Sequence, residues 1–145
     1  MIRAHGTCVE IDGSGVLLRG PSGSGKSDLA LRLIDGGARL VADDQTELAD
    51  EGGEIMARAP AAIAGRIEIR GLGIVSCPNV ASAPLRLVAD LVAPAAVERM
   101  PEERTCRYLG RAVPLIAVAP FEASAPAKLR FALRALAPAP AACPA

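Results

Sequence analysis

The sequence lacks an excess of charge of either sign. Its sixteen basic residues are balanced by sixteen acidic ones, and the formal net charge at pH 7 is zero. A neutral chain has no long-range field that would attract nucleic acid or an anionic membrane surface. We therefore expect neither nucleic acid nor a membrane among its partners.

Long apolar runs are also missing. No stretch approaches the roughly 18 uninterrupted apolar residues that a transmembrane helix requires. The first ten residues, MIRAHGTCVE, contain no apolar segment like that of a secretory signal. We therefore expect a cytoplasmic protein, and its 145 residues suit one domain with a single buried core.

The cysteines lack the spacing of a metal or redox site. Cys8, Cys77, Cys106 and Cys143 form no CxxC pair and no cluster with histidine. This spacing argues against a zinc site and against disulfide exchange. We interpret the four residues as small apolar or surface side chains.

The pattern of apolar residues predicts a sheet-dominated α/β fold with few helices. Leucine and alanine at helical spacing predict helices over residues 26–35 and 125–136. Short Val-, Ile- and Leu-rich runs predict strands at residues 7–11, 15–19, 38–42, 54–57, 66–70, 85–92 and 113–118. The Asp12-Gly13 pair predicts a hairpin between the first two. We assign residues 1–138 to one domain and expect residues 139–145 to be a disordered tail.

One short string predicts a nucleotide-binding site. Residues 20–27, GPSGSGKS, match the pattern G-x-x-x-x-G-K-[ST] between a strand-like run and an amphipathic helix. In such a loop backbone N–H groups surround the phosphates, the lysine contacts the β and γ oxygens, and the last hydroxyl ligates Mg²⁺. We therefore predict ATP and Mg²⁺ as cofactors. The predicted nucleotide-binding residues are Gly20, Pro21, Ser22, Gly23, Ser24, Gly25, Lys26 and Ser27.

Two adjacent carboxylates follow the next predicted strand. The first helix carries the chain about 15 Å away from the phosphates, and the strand, at about 3.3 Å per residue, returns it by a similar distance. Asp43 and Asp44 should therefore lie level with the phosphate loop. One carboxylate could hold Mg²⁺ while the other accepts the proton of an attacking hydroxyl. A solvated turn is the alternative interpretation.

Three segments together resemble the bifunctional HPr kinase/phosphorylase family. They are residues 20–44, residues 67–75 with the sequence IEIRGLGIV, and the His5-Gly6 pair ahead of the loop. The resemblance is clear over residues 4–75 and weaker over residues 110–133. It implies a P-loop core related to phosphoenolpyruvate carboxykinases. It also implies an ATP-dependent serine kinase that acts on HPr, the phosphocarrier of the bacterial phosphotransferase system, with a phosphorolytic reverse reaction and a hexameric assembly.

The same resemblance implies roles for single residues. Asp43 matches the catalytic aspartate, Asp44 matches its Walker-B-like neighbour, and His5 and Arg70 match further active-site positions. The implied magnesium ligands are Ser27, Asp44 and Glu68. The chain aligns with the catalytic domain alone, without the family's N-terminal domain. The family's HPr-gripping loop and its catalytic arginine do not align, which leaves Arg104, Arg107 and Arg111 as candidates.

Two other functions would use the same motifs. A regulatory nucleotide-binding module would keep the loop without transfer, but binding alone requires no base, so the paired carboxylates favour a kinase. A small-molecule kinase would normally need an acceptor pocket and a lid, for which the sequence offers no evident segment.

Overall fold

A computed structural model of the chain describes residues 1–136. The predicted tail and Cys143 lie outside the described residues. The described part contains two α-helices, α1 (Lys26–Asp35) and α2 (Ala125–Leu136). Its eleven strands are β1 (Ile2–His5), β2 (Thr7–Ile11), β3 (Ser14–Arg19), β4 (Arg39–Ala42), β5 (Gln45–Glu51), β6 (Glu54–Arg58), β7 (Arg66–Ile69), β8 (Gly73–Ser76), β9 (Ala83–Leu91), β10 (Arg104–Tyr108) and β11 (Arg111–Val118). Neither helix in this part of the chain is long and apolar enough to cross a membrane.

Nine of these strands form one mixed sheet. Its order is β1-β5-β6-β9-β3-β2-β4, and the β10–β11 hairpin joins it through the pairing of β11 with β9. Strands β3, β9 and β11 are parallel, and β4 has the direction of β3 because both are antiparallel to β2. The carboxyl ends of these four strands therefore lie at one edge of the sheet, where open α/β sheets bind ligands.

Apolar side chains pack on both faces of this sheet. Leu29 of α1 and Leu129 of α2 belong to the cluster that covers one face, together with Leu18 of β3. Leu17, the neighbouring residue of β3, points into a second cluster on the other face with Val88 of β9. Because a central parallel strand is buried on both faces, β3 is apolar at successive positions rather than alternating.

The remaining two strands, β7 and β8, form a separate hairpin. Ile67 is buried and packs into the helix-side cluster, whereas Glu68 faces solvent. Gly71 and Gly73 have φ angles of +93° and +87°, which suit the turn. Leu72 and Ile74 are both 70% exposed. The IEIRGLGIV segment is therefore one hairpin with an apolar outer tip.

The predicted secondary structure is confirmed in its main elements. Both helices have the predicted bounds, the Asp12-Gly13 hairpin joins β2 to β3, and each predicted strand is found within two residues of its expected ends. Four strands were not predicted, namely β1, β5, β8 and β10. Strands β5 (QTELADE) and β10 (RTCRY) are rich in polar and charged residues. Such segments become strands through their partners in the sheet rather than through their own composition.

Candidate active site

The predicted phosphate loop forms a tight turn between β3 and α1. The N–H of Ser24 donates to the carbonyl of Pro21 at 3.0 Å. Gly25 has a φ of +100°, a conformation that side-chain-bearing residues rarely adopt. A Cβ atom at this position would also lie only 2.8 Å from the ring of Phe121. Backbone conformation and a close neighbour therefore both require glycine here.

The start of this loop is anchored by an ion pair. The Nε and Nη2 atoms of Arg19, the last residue of β3, donate to the two carboxylate oxygens of Asp90 at 2.7 and 3.0 Å. Its Nη1 donates to the hydroxyl of Tyr108 at 3.1 Å. These bonds to Asp90 and Tyr108 raise the pKa of Arg19. The planar two-point contact fixes the direction in which β3 enters the loop.

Lys26 begins α1 and is almost completely buried, with 7% exposure. Its Nζ donates to the carbonyl oxygens of Gly20 and Pro21 at 2.6 and 3.0 Å. An ammonium group has three N–H donors, so one further donor is available to a phosphate oxygen. The positive end of the α1 dipole lies beside it. The loop therefore offers the charge and the donors that a polyphosphate requires.

Asp43 follows β4 and is held by three donors. Its Oδ1 accepts the hydroxyls of Ser27 and Thr7, both at 3.1 Å, and its Oδ2 accepts the N–H of Glu68 at 2.9 Å. The contact with Ser27 agrees with the expected return of β4 to the level of the phosphate loop. Asp43 thereby joins the loop, strand β2 and the β7–β8 hairpin.

Asp44 lies in a different environment. Its side chain is 62% exposed, and its Oδ1 accepts a hydrogen bond from Nε2 of His5 at 2.9 Å. Its backbone is left-handed, with a φ of +65°. This conformation is held by the bond of its N–H to the Thr7 hydroxyl and by the bond of its carbonyl to the N–H of Gly6. The two adjacent carboxylates therefore point into separate surroundings.

Thr7 is a site residue that the sequence analysis did not identify. It is completely buried, and its hydroxyl donates to Asp43 and accepts the N–H of Asp44. The antiparallel pairing of Cys8 with Ala42 brings the start of β2 next to the end of β4. A polar residue at the start of a completely buried, largely apolar strand was the available signal. Whether that residue lies beside Asp43 depends on the register of β2 against β4, which one sequence does not specify.

Glu68 and Arg70 lie on the β7–β8 hairpin beside Asp43. Glu68 contacts Asp43 through its backbone N–H, whereas its side chain is exposed. Arg70 is also exposed, and within residues 1–136 its side chain forms no hydrogen bond or salt bridge. The structure thus brings the hairpin backbone to the site, and the roles expected of these two side chains stay predictions.

The candidate arginines of the β10–β11 hairpin have other partners. Arg107 donates to the carbonyl of Gly110 at 2.9 Å, and Arg111 pairs with Asp50 of β5 at 3.1 Å. Arg104 is exposed at the start of β10. Arg107 thus contacts the turn of its own hairpin, and Arg111 contacts β5.

The oxygen donors beside Lys26 are suited to Mg²⁺. Ser27 and Asp43 lie in direct contact and supply hard oxygen atoms, which Mg²⁺ combines with water and phosphate oxygens. Of the three predicted magnesium ligands, Ser27 is the one that belongs to this pair of oxygen ligands. Asp44 contacts His5 instead, and the carboxylate next to Ser27 is that of Asp43.

The described cysteines are free thiols with raised pKa values. Burial raises the pKa of Cys8 to about 12, and it is also the main cause of the raised pKa values of Cys77 and Cys106. A raised pKa keeps a thiol protonated at neutral pH, which disfavours nucleophilic attack and metal binding. These three residues therefore fit their interpretation as apolar or surface side chains.

Comparison with known proteins agrees with this geometry. Residues 1–84 match the family model of the HPr Serine kinase C-terminal domain. The HPr kinase/phosphorylase of Clostridium beijerinckii is 47% identical over 73 residues, which are 50% of this chain and 24% of that protein. The HPr kinase/phosphorylase of Clostridium tetani is 44% identical over 78 residues, or 54% and 26% of the two chains. The matched part thus spans about a quarter of the length of these curated relatives.

A solved structure extends the similarity over nearly the whole chain. The Hpr(Ser) kinase/phosphatase from Coxiella burnetii has a TM-score of 0.82 and 30% sequence identity, and the match covers 93% of this chain and 90% of that one. The predicted sheet-dominated α/β fold and the predicted family resemblance are both confirmed. Because the family model matches more than half of its residues, the chain belongs to the HPr serine kinase C-terminal domain family.

Proposed function

We propose that this domain is an ATP-dependent kinase that phosphorylates a serine of an HPr-like phosphocarrier protein. The observation that carries the proposal is the meeting of the phosphate loop with two differently held carboxylates at one sheet edge. The relatives named above support HPr as the acceptor and serine as the acceptor residue. Such a kinase would act in the cytoplasm, where ATP is available. A reverse phosphorolysis and a homo-oligomeric assembly stay predictions from the family.

The phosphate loop would bind the triphosphate of ATP. Lys26 and the loop N–H groups would hold the phosphate oxygens, and Ser27 and Asp43 would hold Mg²⁺. Bound Mg²⁺ would neutralise part of the charge on the phosphate oxygens. Because Lys26 is buried and fixed by two carbonyls, its position is set before the nucleotide arrives.

The contacts favour roles for the two aspartates opposite to those expected from the sequence. Asp43 accepts three hydrogen bonds and contacts Ser27, so it suits the metal side of the site and the positioning of the loop. Asp44 is exposed and accepts one side-chain bond, from His5. We therefore assign Asp44 as the general base, with His5 as the residue that orients its carboxylate.

The reaction follows from this assignment. The oxygen of the acceptor serine would form a bond with the γ-phosphorus, the bond to the bridging oxygen would break, and ADP would leave. The proton of the serine hydroxyl would pass to Asp44. A folded protein can approach only from solvent, so the exposure of Asp44 matters, and the acceptor serine must protrude from its own surface.

The β7–β8 hairpin would complete the site. Its backbone is joined to Asp43 through the N–H of Glu68. Glu68 and Arg70 are exposed on this hairpin and could contact the metal, the phosphate or the acceptor once these are bound. We retain both as proposed active-site residues, next to His5.

Incubation with MgATP and the HPr protein of the same organism tests the proposal. We expect intact-mass analysis to find one added phosphate that is stable in acid and is lost when the acceptor serine is replaced by alanine. An acid-labile phosphohistidine would contradict the proposal. An unmodified HPr protein under conditions where MgATP binds would instead favour a regulatory nucleotide-binding module.

A further inference from the structure

An apolar groove adjoins the phosphate loop. It is formed where the parallel strands β3, β9 and β11 end, between Pro21 and Ser24 of the loop and the segments at residues 91–94 and 119–122. Its volume is about 390 Å³, which is within the range of small-molecule sites. Leu91 and Ala119 are buried at its base, with 6% and 1% exposure.

The wall of the groove is an exposed aromatic ring on a fixed segment. Phe121 is 70% exposed, and its ring lies against the loop at Gly25. Arg32 of α1 donates to the carbonyls of Pro120 and Glu122, the two residues that flank this phenylalanine. The ring is therefore presented to solvent by a segment that α1 holds in place.

Ser24 adds a polar atom to the same groove. Its Oγ is buried and has no hydrogen-bond partner within residues 1–136. A buried hydroxyl without a partner is unfavourable, and rotation of this side chain toward the groove would let a polar atom of a bound molecule satisfy it. Ser24 belongs both to the phosphate loop and to the groove, so one ligand would be expected to contact the two together.

We propose that the groove binds the purine nucleoside part of ATP, with the base stacked on Phe121. The inference rests on the proposed function, since it requires a nucleoside triphosphate in the phosphate loop. The groove begins at the loop itself, its walls are mostly apolar, and a base offers a flat apolar face with polar edges. Stacking on an aromatic side chain strengthens binding by about five- to 150-fold.

Two phenylalanine variants separate the groove from the phosphate site. Phe121→Ala should weaken binding of MgATP at least about fivefold and leave binding of magnesium tripolyphosphate unchanged, because tripolyphosphate has no base. Phe131→Ala is the matched control, since Phe131 is 66% exposed on α2 and does not line the groove. We expect it to change neither affinity. Calorimetry measures both ligands, and thermal unfolding verifies that the variants are folded.

The outcomes distinguish this inference from the proposed function. If Phe121→Ala weakened the binding of MgATP and of magnesium tripolyphosphate equally, the ring would only support the loop. If the affinity for MgATP were unchanged, the base would bind elsewhere. Either result overturns the inference. Failure of both ligands to bind the unmodified protein would overturn the phosphate site and the proposed function with it. Failure to phosphorylate HPr, with these affinities as expected, would overturn the proposed function alone.

Discussion

The hydroxyl of Thr7 donates to Oδ1 of Asp43 at 3.1 Å and accepts the backbone N–H of Asp44 at the same distance. One buried hydroxyl therefore joins strand β2 to the carboxylate of Asp43 and to the backbone of Asp44. It orients the side chain of Asp43 and the left-handed backbone of Asp44 together.

Replacement of this hydroxyl should impair transfer more than it impairs folding. Thr7→Val removes the donor to Asp43 and leaves the N–H of Asp44 without its partner, while the side-chain shape is kept. A hydrogen bond to a charged group contributes about 1.5–3 kcal/mol, and loss of that amount from the positioning of Asp43 in the transition state would lower kcat by about 10- to 160-fold. Thr7→Ser should restore most of the rate. Steady-state kinetics with an HPr protein measures the effect.

Thr46→Val is the control for this experiment. Thr46 is also completely buried, and its hydroxyl donates to the carbonyl of Gly6 rather than to an aspartate. It should lower stability with a smaller effect on kcat. A Thr7→Val enzyme with normal kcat and reduced stability would contradict the positioning role.

The two aspartates should respond differently to neutralisation. Asp44→Asn should lower kcat by about 10² to 10⁴ at every magnesium concentration, because a positioned general base contributes about that much. Asp43→Asn should instead raise the magnesium concentration required for half-maximal rate, because Asp43 contacts Ser27. Magnesium titration of both variants decides the matter. The reverse pattern would restore the assignment of Asp43 as the base.

Lys26→Ala should weaken MgATP binding and abolish transfer. Removal of the ammonium leaves the β and γ phosphates with backbone donors alone. Lys128→Ala is the matched control, because it removes the other lysine of the chain, which forms an exposed pair with Glu122 at 3.5 Å. Exposed salt bridges contribute little to stability, so this variant should remain folded. Calorimetry that shows the same MgATP affinity for Lys26→Ala and the unmodified protein would remove the phosphate-site assignment.

Stability should decline above pH 9 in part because of Cys8. Its thiol has a pKa of about 12 in the folded protein, raised by burial from an ordinary value of 9.0. The contribution of this thiol to the free energy of unfolding is complete below pH 9. Above pH 9 it decreases by up to about 1.4 kcal/mol per pH unit, because the thiol loses its proton in the unfolded chain and keeps it in the folded protein. In urea unfolding between pH 8 and 10.5, Cys8→Ala should decline less steeply than the unmodified protein. Parallel declines would contradict a buried neutral thiol.

The sequence by itself determined the features that depend on neighbouring residues. The phosphate loop, helix α1 and the Asp12-Gly13 hairpin follow from glycine conformation, helical spacing and turn preference, which act over a few residues. The position of Asp43 near the loop followed from the lengths of α1 and β4. These local signals were also sufficient for the family resemblance, since its motifs lie within the first 75 residues.

Only the tertiary structure decided how distant segments meet. The contact of Thr7 with Asp43 spans 36 residues and depends on the register of β2 against β4, and the His5–Asp44 pair depends on β1 lying beside β5. Phe121 reaches Gly25 because three parallel strands end at one edge of the sheet. Strand pairing is cooperative and non-local, so the same residues could face solvent in another register. The different surroundings of Asp43 and Asp44 are therefore a property of the packed sheet, because adjacent residues with the same side chain differ only in what the fold places around them.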